Sequence, residues 1–511
     1  MRYTDILRRN ATRHPDRLAV AMCDGNDHRT YAQLYHNAIR LANALQSVAQ
    51  PGDRVALLSE NSVEYVEGYY GIPAAGMSLV PLNHRLHPKE WAWVLADSDA
   101  RVLLVSADYL GRVDEIRAEL PSDIHIVVIG DTPAGLTSYT GFLAGASTRE
   151  PDIEIADDDD AWIFYTSGTT GHPKGARLSH RNLITAIIQS VIEYRPTQDT
   201  CFLNAMPLCH IAGYLTPLHQ FHGGSVLMMS GWDPVQWMRI VEAHRVTSGG
   251  FAPTMMQMLL SHPDFGKFDL SSLQWMGYGA SKIPVQVLRQ TIEAFGPIVY
   301  AGMGMTELGG NMITLDKEAH IRAAAGEEHL LDAVGKPMSL VDVRIADSTG
   351  NVCPDGVVGE IQVRGDQVTR GYLNNPEATS TSFDGEWFRS GDLAYRDKEG
   401  YLYIVDRAKD MIITGGENVY SSEVENAIHT HPGVLSAAVI GTPDERWGEL
   451  VTAVVVPRAG VTLSDDEIIT ACRDQLAGFK CPRRVIFTDE LPQTSTGKIR
   501  KNVLREQYTR T

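Results

Sequence analysis

Residues 165 to 176 read Tyr165-Thr-Ser-Gly-Thr-Thr-Gly-His-Pro-Lys-Gly-Ala176, directly after the apolar run Ala161-Trp-Ile-Phe164. The apolar run has the look of a buried strand, so the chain must leave a core and turn sharply here. Four hydroxyls (Thr166, Ser167, Thr169, Thr170), three glycines (Gly168, Gly171, Gly175) and Lys174 share ten positions. Glycine lets successive backbone N–H groups converge on one anion, and the hydroxyls and the lysine add donors and charge. A loop of this kind suits a polyphosphate. It is not the Walker loop, because Lys174 is followed by Gly175 rather than by Ser or Thr. A Ser/Thr/Gly-rich surface turn has the same composition, so the rest of the chain must decide.

The chain has 511 residues, 43% hydrophobic and 21% charged. That is too long for one core, and at least two domains are expected. Apolar runs at 54–59, 101–106, 124–129 and 162–165 alternate with helical stretches. Such runs indicate parallel strands buried on both faces, hence an α/β body with several sheets. Thr30-Tyr-Ala-Gln33 is a capping box, followed by Leu34, Ala38, Leu41, Leu45 and Val48 on one helix face. From Gly350 the texture changes to short strands and turns, and a small α+β unit follows Asp406-Arg407. A second capping box, Ser422-Glu-Val-Glu425, opens a helix in it. The expected division is a large domain over 1–405, a junction at 406–409 and a small domain over 410–511.

The net charge of −18 argues against nucleic-acid binding. From Arg473 onward, however, nine Lys/Arg stand against four Asp/Glu. A positive field on an acidic body suits a domain that meets phosphates, although a solvated basic surface explains many of those residues equally well. The acidic run Asp157–Asp160 reads as a solvated connector. No run of about 18 apolar residues exists to span a membrane, and the amphipathic start Met1–Asn10 lacks the apolar core of a signal peptide. The six cysteines are scattered without a Cys-x-x-Cys pair. Reduced thiols in a cytoplasmic protein are expected, with no zinc site.

The glycine-hydroxyl loop resembles the phosphate loop of the adenylate-forming enzymes: acyl-CoA synthetases, peptide-synthetase adenylation domains and beetle luciferases. Six further stretches occur in that family's order: Pro207-Leu-Cys-His-Ile-Ala-Gly-Tyr214, Gly304-Met-Thr-Glu307, Arg389-Ser-Gly-Asp-Leu393, Asp406-Arg-Ala-Lys-Asp410, Gly415-Gly-Glu-Asn418 and Thr496-Gly-Lys-Ile499. The resemblance implies a ligase of the acyl-CoA synthetase branch, using ATP, Mg²⁺ and coenzyme A. It also implies a large N-terminal domain and a small C-terminal domain that rotates between two half-reactions. A carboxylate is a poor electrophile; moving AMP onto it supplies a leaving group, and a thiol can then attack. The charge that builds on the α-phosphate calls for a cation, Mg²⁺ and oriented donors.

Carried over position by position, the resemblance makes Lys498 the lysine that bridges acid and α-phosphate during adenylation. Thr306 would contact the α-phosphate and Glu307 would hold Mg²⁺, while Asp392 and Arg407 would grip the ribose hydroxyls. Thr166, Ser167, Gly168, Thr169, Thr170, Gly171 and Lys174 would wrap the phosphates. Gly279, Ala280, Ser281, Gly302, Met303, Gly304 and Met305 would surround the adenine. Met303 departs from the aromatic residue usual there, and a polarizable sulfur can still press on a π face. Tyr278 and Tyr300 lie near in sequence, with a core role expected for Tyr300. His210 matches a gate between acid pocket and thiol tunnel, and the pocket would also use Gly213, Tyr214, Tyr278, Gly279 and Gly304. Gly415 and Gly416 would flank the pantetheine arm, with Trp447, Lys480 and Arg483 toward the nucleotide end of CoA. Lys409 takes the hinge position. The family often has proline where Ser421 stands, so the helix there would start on the Ser422 cap.

The pocket segments are apolar and bring no spare Arg or Lys, which disfavours dicarboxylates. The Gly277-Tyr-Gly-Ala-Ser281 stretch resembles that of bacterial fatty-acid–CoA ligases, so a medium- or long-chain fatty acid is expected, with aryl acids as the alternative. A carrier protein in place of CoA shares every motif; a chain ending at Thr511 without a carrier module favours CoA. A homodimer is compatible with this reading. A silent binding protein would be expected to lose Lys498 or Glu307, and both are present. No Gly-x-Gly-x-x-Gly follows a strand and no Gly-x-Ser-x-Gly occurs, which disfavours a Rossmann dehydrogenase and a serine hydrolase.

Overall fold

The computed structural model describes residues 1–25, 27–166, 173–279, 283–493 and 499–509. Among them the strands form four sheets, of nine, seven, five and five strands. The chain divides into two compact units, one of Met1–Val343 with Val363–Phe388, the other of Arg344–Gln362 with Arg389–Thr511.

In the first unit the apolar runs become the strands Arg54–Leu58, Ala100–Ser106, His125–Ile129 and Asp160–Thr166 of the seven-stranded sheet. Arg54–Leu58 runs parallel to Ala100–Ser106, which runs parallel to His125–Ile129. Their side chains are buried on both faces, as the absence of polar alternation requires. Asp160–Thr166 pairs antiparallel with Lys174–Ser179, with Thr166 opposite Lys174, so the two strands flank the glycine-hydroxyl segment. The nine-stranded sheet carries Trp275–Gly279, Val299–Met305 and Gly310–Leu315 side by side, the first two parallel and the last antiparallel. The Thr30 capping box forms with Gln33 as expected, and Leu34, Ala38, Leu41 and Leu45 are buried. Val48 does not follow them: the helix stops at Leu45 and Val48 is exposed. The acidic connector is tied down by ion pairs, Arg181 to Asp158 and Arg177 to Asp160.

By its contacts the second unit takes in residues 344–362 and 389–405 as well as the expected junction at 406–409 and the small domain. Trp387–Arg396 pairs antiparallel with Leu402–Arg407, bringing Asp392 opposite Arg407. These ladder bonds tie the residues from Arg389 onward to the C-terminal part of the chain, so the division falls after Phe388 and residues 344–362 join the same unit. The expected Ser422 cap is replaced by a different device. The helix runs from Ser421 to His429 without a side-chain cap from its own N-terminus. Asp406 instead accepts from both the N–H and the hydroxyl of Ser421, a carboxylate at a positive helix end. Ser422 donates to the Val405 carbonyl, and Glu425 turns away to accept from the Val439 N–H at 2.7 Å and to pair with Lys501 at 2.6 Å. A proline at 421 could not donate, so the departure from the family pattern goes with a changed helix start.

All six cysteines are free. No helix among the described residues is long and apolar enough to cross a membrane.

Candidate active site

Ser167 to Gly171, Ala280, Ser281 and Lys498 lie outside the described residues. The remaining candidates fall into two sets, one in each unit.

In the first unit, Thr306 and Glu307 open a single 3₁₀ turn, Thr306–Leu308, at the end of the strand Val299–Met305. Gly309 ends that turn at φ +64°, where a side chain would be strained. Glu307 is only 7% exposed. Tyr372 donates its hydroxyl to Glu307 Oε1 at 2.9 Å, and the Thr369 N–H donates to the Glu307 carbonyl at 2.7 Å. Burial, and then the neighbouring Glu307 charge, push the Tyr372 phenol well above its ordinary pKa. Lys174 Nζ sits 5.4 Å from the centroid of the same ring, within cation–π range. Tyr372 is therefore a residue of this set that the motif comparison did not supply. Its signal in the sequence is weak, an aromatic after Arg370-Gly371 with no charge of its own.

The glycines of the expected nucleotide and acid segments answer to close packing against neighbouring backbone and side chains. A Cβ at Gly302 would stand 2.1 Å from the Asn311 amide, at Gly304 2.1 Å from the Gly310 carbonyl, and at Gly279 2.5 Å from the Gly302 carbonyl. One at Gly213 would overlap the Tyr69 hydroxyl. Met303 and Met305 are half-buried on the same strand. His210, half-buried, precedes the turn Ile211–Tyr214 and accepts from the Gly213 N–H through its carbonyl at 2.8 Å. Tyr278 is buried, with its hydroxyl 3.1 Å from His320 Nε2. His320 Nδ1 lies 2.6 Å from the Asp316 carbonyl, which can only accept, so Nε2 is the acceptor and Tyr278 the donor. Burial holds the His320 imidazole below its ordinary pKa, consistent with this neutral tautomer. Tyr278 thus spends its hydroxyl on a buried partner rather than on an open pocket.

Next to these strands lies an aromatic cluster. Tyr194 packs against Trp275 and Tyr300 with ring centroids 5.3 and 5.8 Å apart, which bears out a packing role for Tyr300. The Trp275 indole covers the face of Gly277, where a Cβ would come within 2.3 Å of the ring. Trp275 Nε1 is buried without a hydrogen-bond partner among the described residues, whereas the Tyr214 phenol interacts with Ser190 and the Asn311 backbone.

In the second unit, Asp392 is buried and Arg407 Nε lies 2.6 Å from its Oδ1. Glu360 orders the approach to Asp392, accepting from Arg389 at 2.8 Å and from the Gly391 N–H at 3.0 Å. Lys409 is exposed in the turn after the strand Leu402–Arg407. Gly415 and Gly416 form the two-residue turn between Ile412–Thr414 and Glu417–Val419, at φ +61° and +85°. A tight hairpin of this twist needs two left-handed residues, which is one physical reason for the pair. Trp447 packs on Gly415, and the guanidinium groups of Arg483 and Arg446 lie 4.5 and 4.9 Å from its ring. Arg446 is thus a further cation beside Trp447. Lys480, in contrast, is paired with both oxygens of Glu423 at 2.8 Å.

The donor chemistry fits a magnesium ion carried by a nucleotide. Glu307 offers one carboxylate beside the Thr306 hydroxyl, and no group of three metal-ligating side chains occurs among the described residues. Mg²⁺ characteristically takes one or two carboxylates plus phosphates and water.

Comparison with known proteins agrees over the whole chain. The AMP-binding enzyme family matches residues 7–373, and the AMP-binding enzyme C-terminal domain matches residues 423–498. The chain is 39% identical over 495 residues to a feruloyl-CoA synthase of Amycolatopsis sp, covering 96% of each. It is 36% identical over 518 residues to the long-chain-fatty-acid–CoA ligase FadD13 of Mycobacterium tuberculosis, covering 99% of this chain and 98% of that one. The ATP-bound crystal structure of MatB from Rhodopseudomonas palustris aligns with a TM-score of 0.88 at 34% identity, covering 100% and 99% of the two chains. The chain therefore belongs to the AMP-binding enzyme family, as an ATP-dependent acid–thiol ligase of the acyl-CoA synthetase branch.

Proposed function

We propose that this ligase activates an aromatic carboxylic acid and transfers it to coenzyme A, with the family roles carried by the residues that match its motifs. In the first half-reaction a carboxylate oxygen attacks the α-phosphorus of ATP and pyrophosphate leaves. Lys498 supplies charge to the acid and the α-phosphate. Thr306 and Lys174 donate to phosphate oxygens, and Asp392 with Arg407 grips the ribose. Glu307 would hold Mg²⁺, which when bound neutralises charge on the phosphates. In the second half-reaction the CoA sulfur attacks the acyl carbon and AMP leaves. Gly415 and Gly416 border the pantetheine path, Arg483 and Arg446 beside Trp447 meet the nucleotide end, and His210 gates the pocket. The chain turns about Lys409 between the two steps.

The observation that carries the choice of acid is the Trp275 indole lying on Gly277 within the Tyr194–Tyr300 cluster. Rings there offer offset and edge contacts to another ring, and the buried Trp275 indole fills the space beside the strand that carries the expected acid segment. The Trp275 Nε1, without a partner among the described residues, suits an oxygen substituent on that ring. The feruloyl-CoA synthase relative acts on an acid of this class by its name. AMP release measured with benzoic, cinnamic and hydroxycinnamic acids against medium- and long-chain fatty acids tests it. The aromatic acids should lead in kcat/KM by about tenfold or more; a preference for fatty acids would restore the aliphatic reading, as in the relative named for long-chain acids.

A further inference from the structure

We propose that Tyr372 is a positioning residue for the Glu307 carboxylate, aligning it for the metal–nucleotide and linking that alignment to Lys174. The proposal rests on the reading of Glu307 as the magnesium carboxylate. Three segments far apart in sequence meet here. The stretch Thr369–Leu373 lies along the exit strand of the phosphate loop. Arg177 N–H donates to the Gly371 carbonyl at 3.0 Å, Leu373 N–H to the Gly175 carbonyl at 2.8 Å, and the Thr369 hydroxyl to the Arg177 carbonyl at 2.7 Å. Tyr372 also bridges to Ala176. From this anchored stretch two bonds reach one residue: Thr369 N–H holds the Glu307 backbone and the Tyr372 hydroxyl holds its side chain.

Packing alone does not require that hydroxyl. A phenylalanine would fill the same half-buried space, and the one atom it would lack is the donor 2.9 Å from Glu307 Oε1. A carboxylate can only accept, so the phenol is the donor and the bond orients the carboxylate plane. A hydrogen bond to a metal ligand of this sort restricts its rotation, and its removal typically weakens metal affinity by 10–100-fold. The Tyr372 ring faces Lys174 as well. One side chain therefore touches both the candidate metal carboxylate and the cation of the phosphate loop.

The test is Tyr372→Phe, with Mn²⁺ as a spectroscopic stand-in for Mg²⁺. Mn²⁺ binding to the full-length protein with a non-hydrolysable ATP analogue is followed by electron paramagnetic resonance, and melting is followed in parallel. The expected result is about tenfold weaker Mn²⁺ binding, an essentially unchanged melting temperature, and a raised KM for Mg²⁺ in pyrophosphate exchange. Tyr372→Leu, which also removes the ring, should weaken nucleotide binding further. Wild-type Mn²⁺ affinity in Tyr372→Phe, alongside a large loss in Glu307→Gln, would overturn the positioning role and leave the metal reading standing. Wild-type affinity in Glu307→Gln would overturn the metal reading and this proposal with it. A lowered melting temperature with unchanged Mn²⁺ affinity would make Tyr372 a structural residue only.

Discussion

Replacing Asp392 by asparagine separates a nucleotide-binding role from a structural one. In the folded protein Asp392 pairs with Arg407, whose side chain is 47% exposed. Asp392 itself is buried, so the pair is exposed on the arginine side only; its loss should cost about 1–2 kcal/mol and lower the melting temperature by about 2–8 °C. The effect on ATP should be larger. A carboxylate accepting two ribose hydroxyls makes charge-assisted hydrogen bonds worth about 1.5–3 kcal/mol each. Asparagine keeps one carbonyl acceptor, so roughly one such bond is lost, and KM for ATP should rise by about 10–100-fold. Pyrophosphate exchange reads this directly, with KM for the acid as the internal control. The sharper measurement compares ATP with 2′,3′-dideoxy-ATP. Wild type should prefer ATP by about 10–100-fold or more, and Asp392→Asn should lose most of that preference. Full discrimination in the variant, or a KM effect matched by a steep loss of stability, would show that Asp392 serves the Trp387–Arg396 hairpin and not the ribose.

Lys498→Ala should abolish acyl-AMP formation while sparing CoA transfer from supplied acyl-AMP; equal losses in both assays would remove its assignment to the first step. Gly416→Leu should leave pyrophosphate exchange in place and lower thioester formation. Because Gly416 has φ +85° with open space around its Cα, the variant also carries about 1–2 kcal/mol of backbone strain. Gly416→Asn, which tolerates that conformation better, should therefore melt higher than the leucine variant, and a normal thioester rate in Gly416→Leu would remove the tunnel assignment. Lys409→Pro locks φ near −65°. It should keep one half-reaction, adenylation, and slow the other by orders of magnitude; undiminished overall turnover would place the hinge elsewhere.

Periodicity and motif order carried much of this protein. The parallel strands at 54–58, 100–106 and 125–129 were legible because strands buried on both faces must be apolar without alternation. The Thr30 capping box was legible because its bonds join residues three apart. The same local rule misread Ser422 and Glu425, since the partner that caps this helix, Asp406, comes from a strand fifteen residues upstream of Ser421. Val48 continued a helical spacing that the chain itself ended at Leu45. Contacts also group residues 389–407 with the C-terminal part of the chain, which the sequence does not disclose because the bonds that join Asp392 to Arg407 run across strands rather than along them.

The site obeys the same distinction. Short motifs disclose residues whose chemistry depends on their own type and near neighbours: the hydroxyls and Lys174 of the phosphate loop, Thr306-Glu307, and Asp392. Tyr372 on Glu307, Glu360 beneath Asp392, Arg446 beside Trp447 and the Trp275 indole on Gly277 are contacts between separated segments or folded-back side chains. One-dimensional order determines what each segment can do and which face it buries, because backbone geometry and burial act over a few residues. Which side chains then share a hydrogen bond or a ring face is decided only when those segments pack, because a contact energy depends on distance in space and not along the chain.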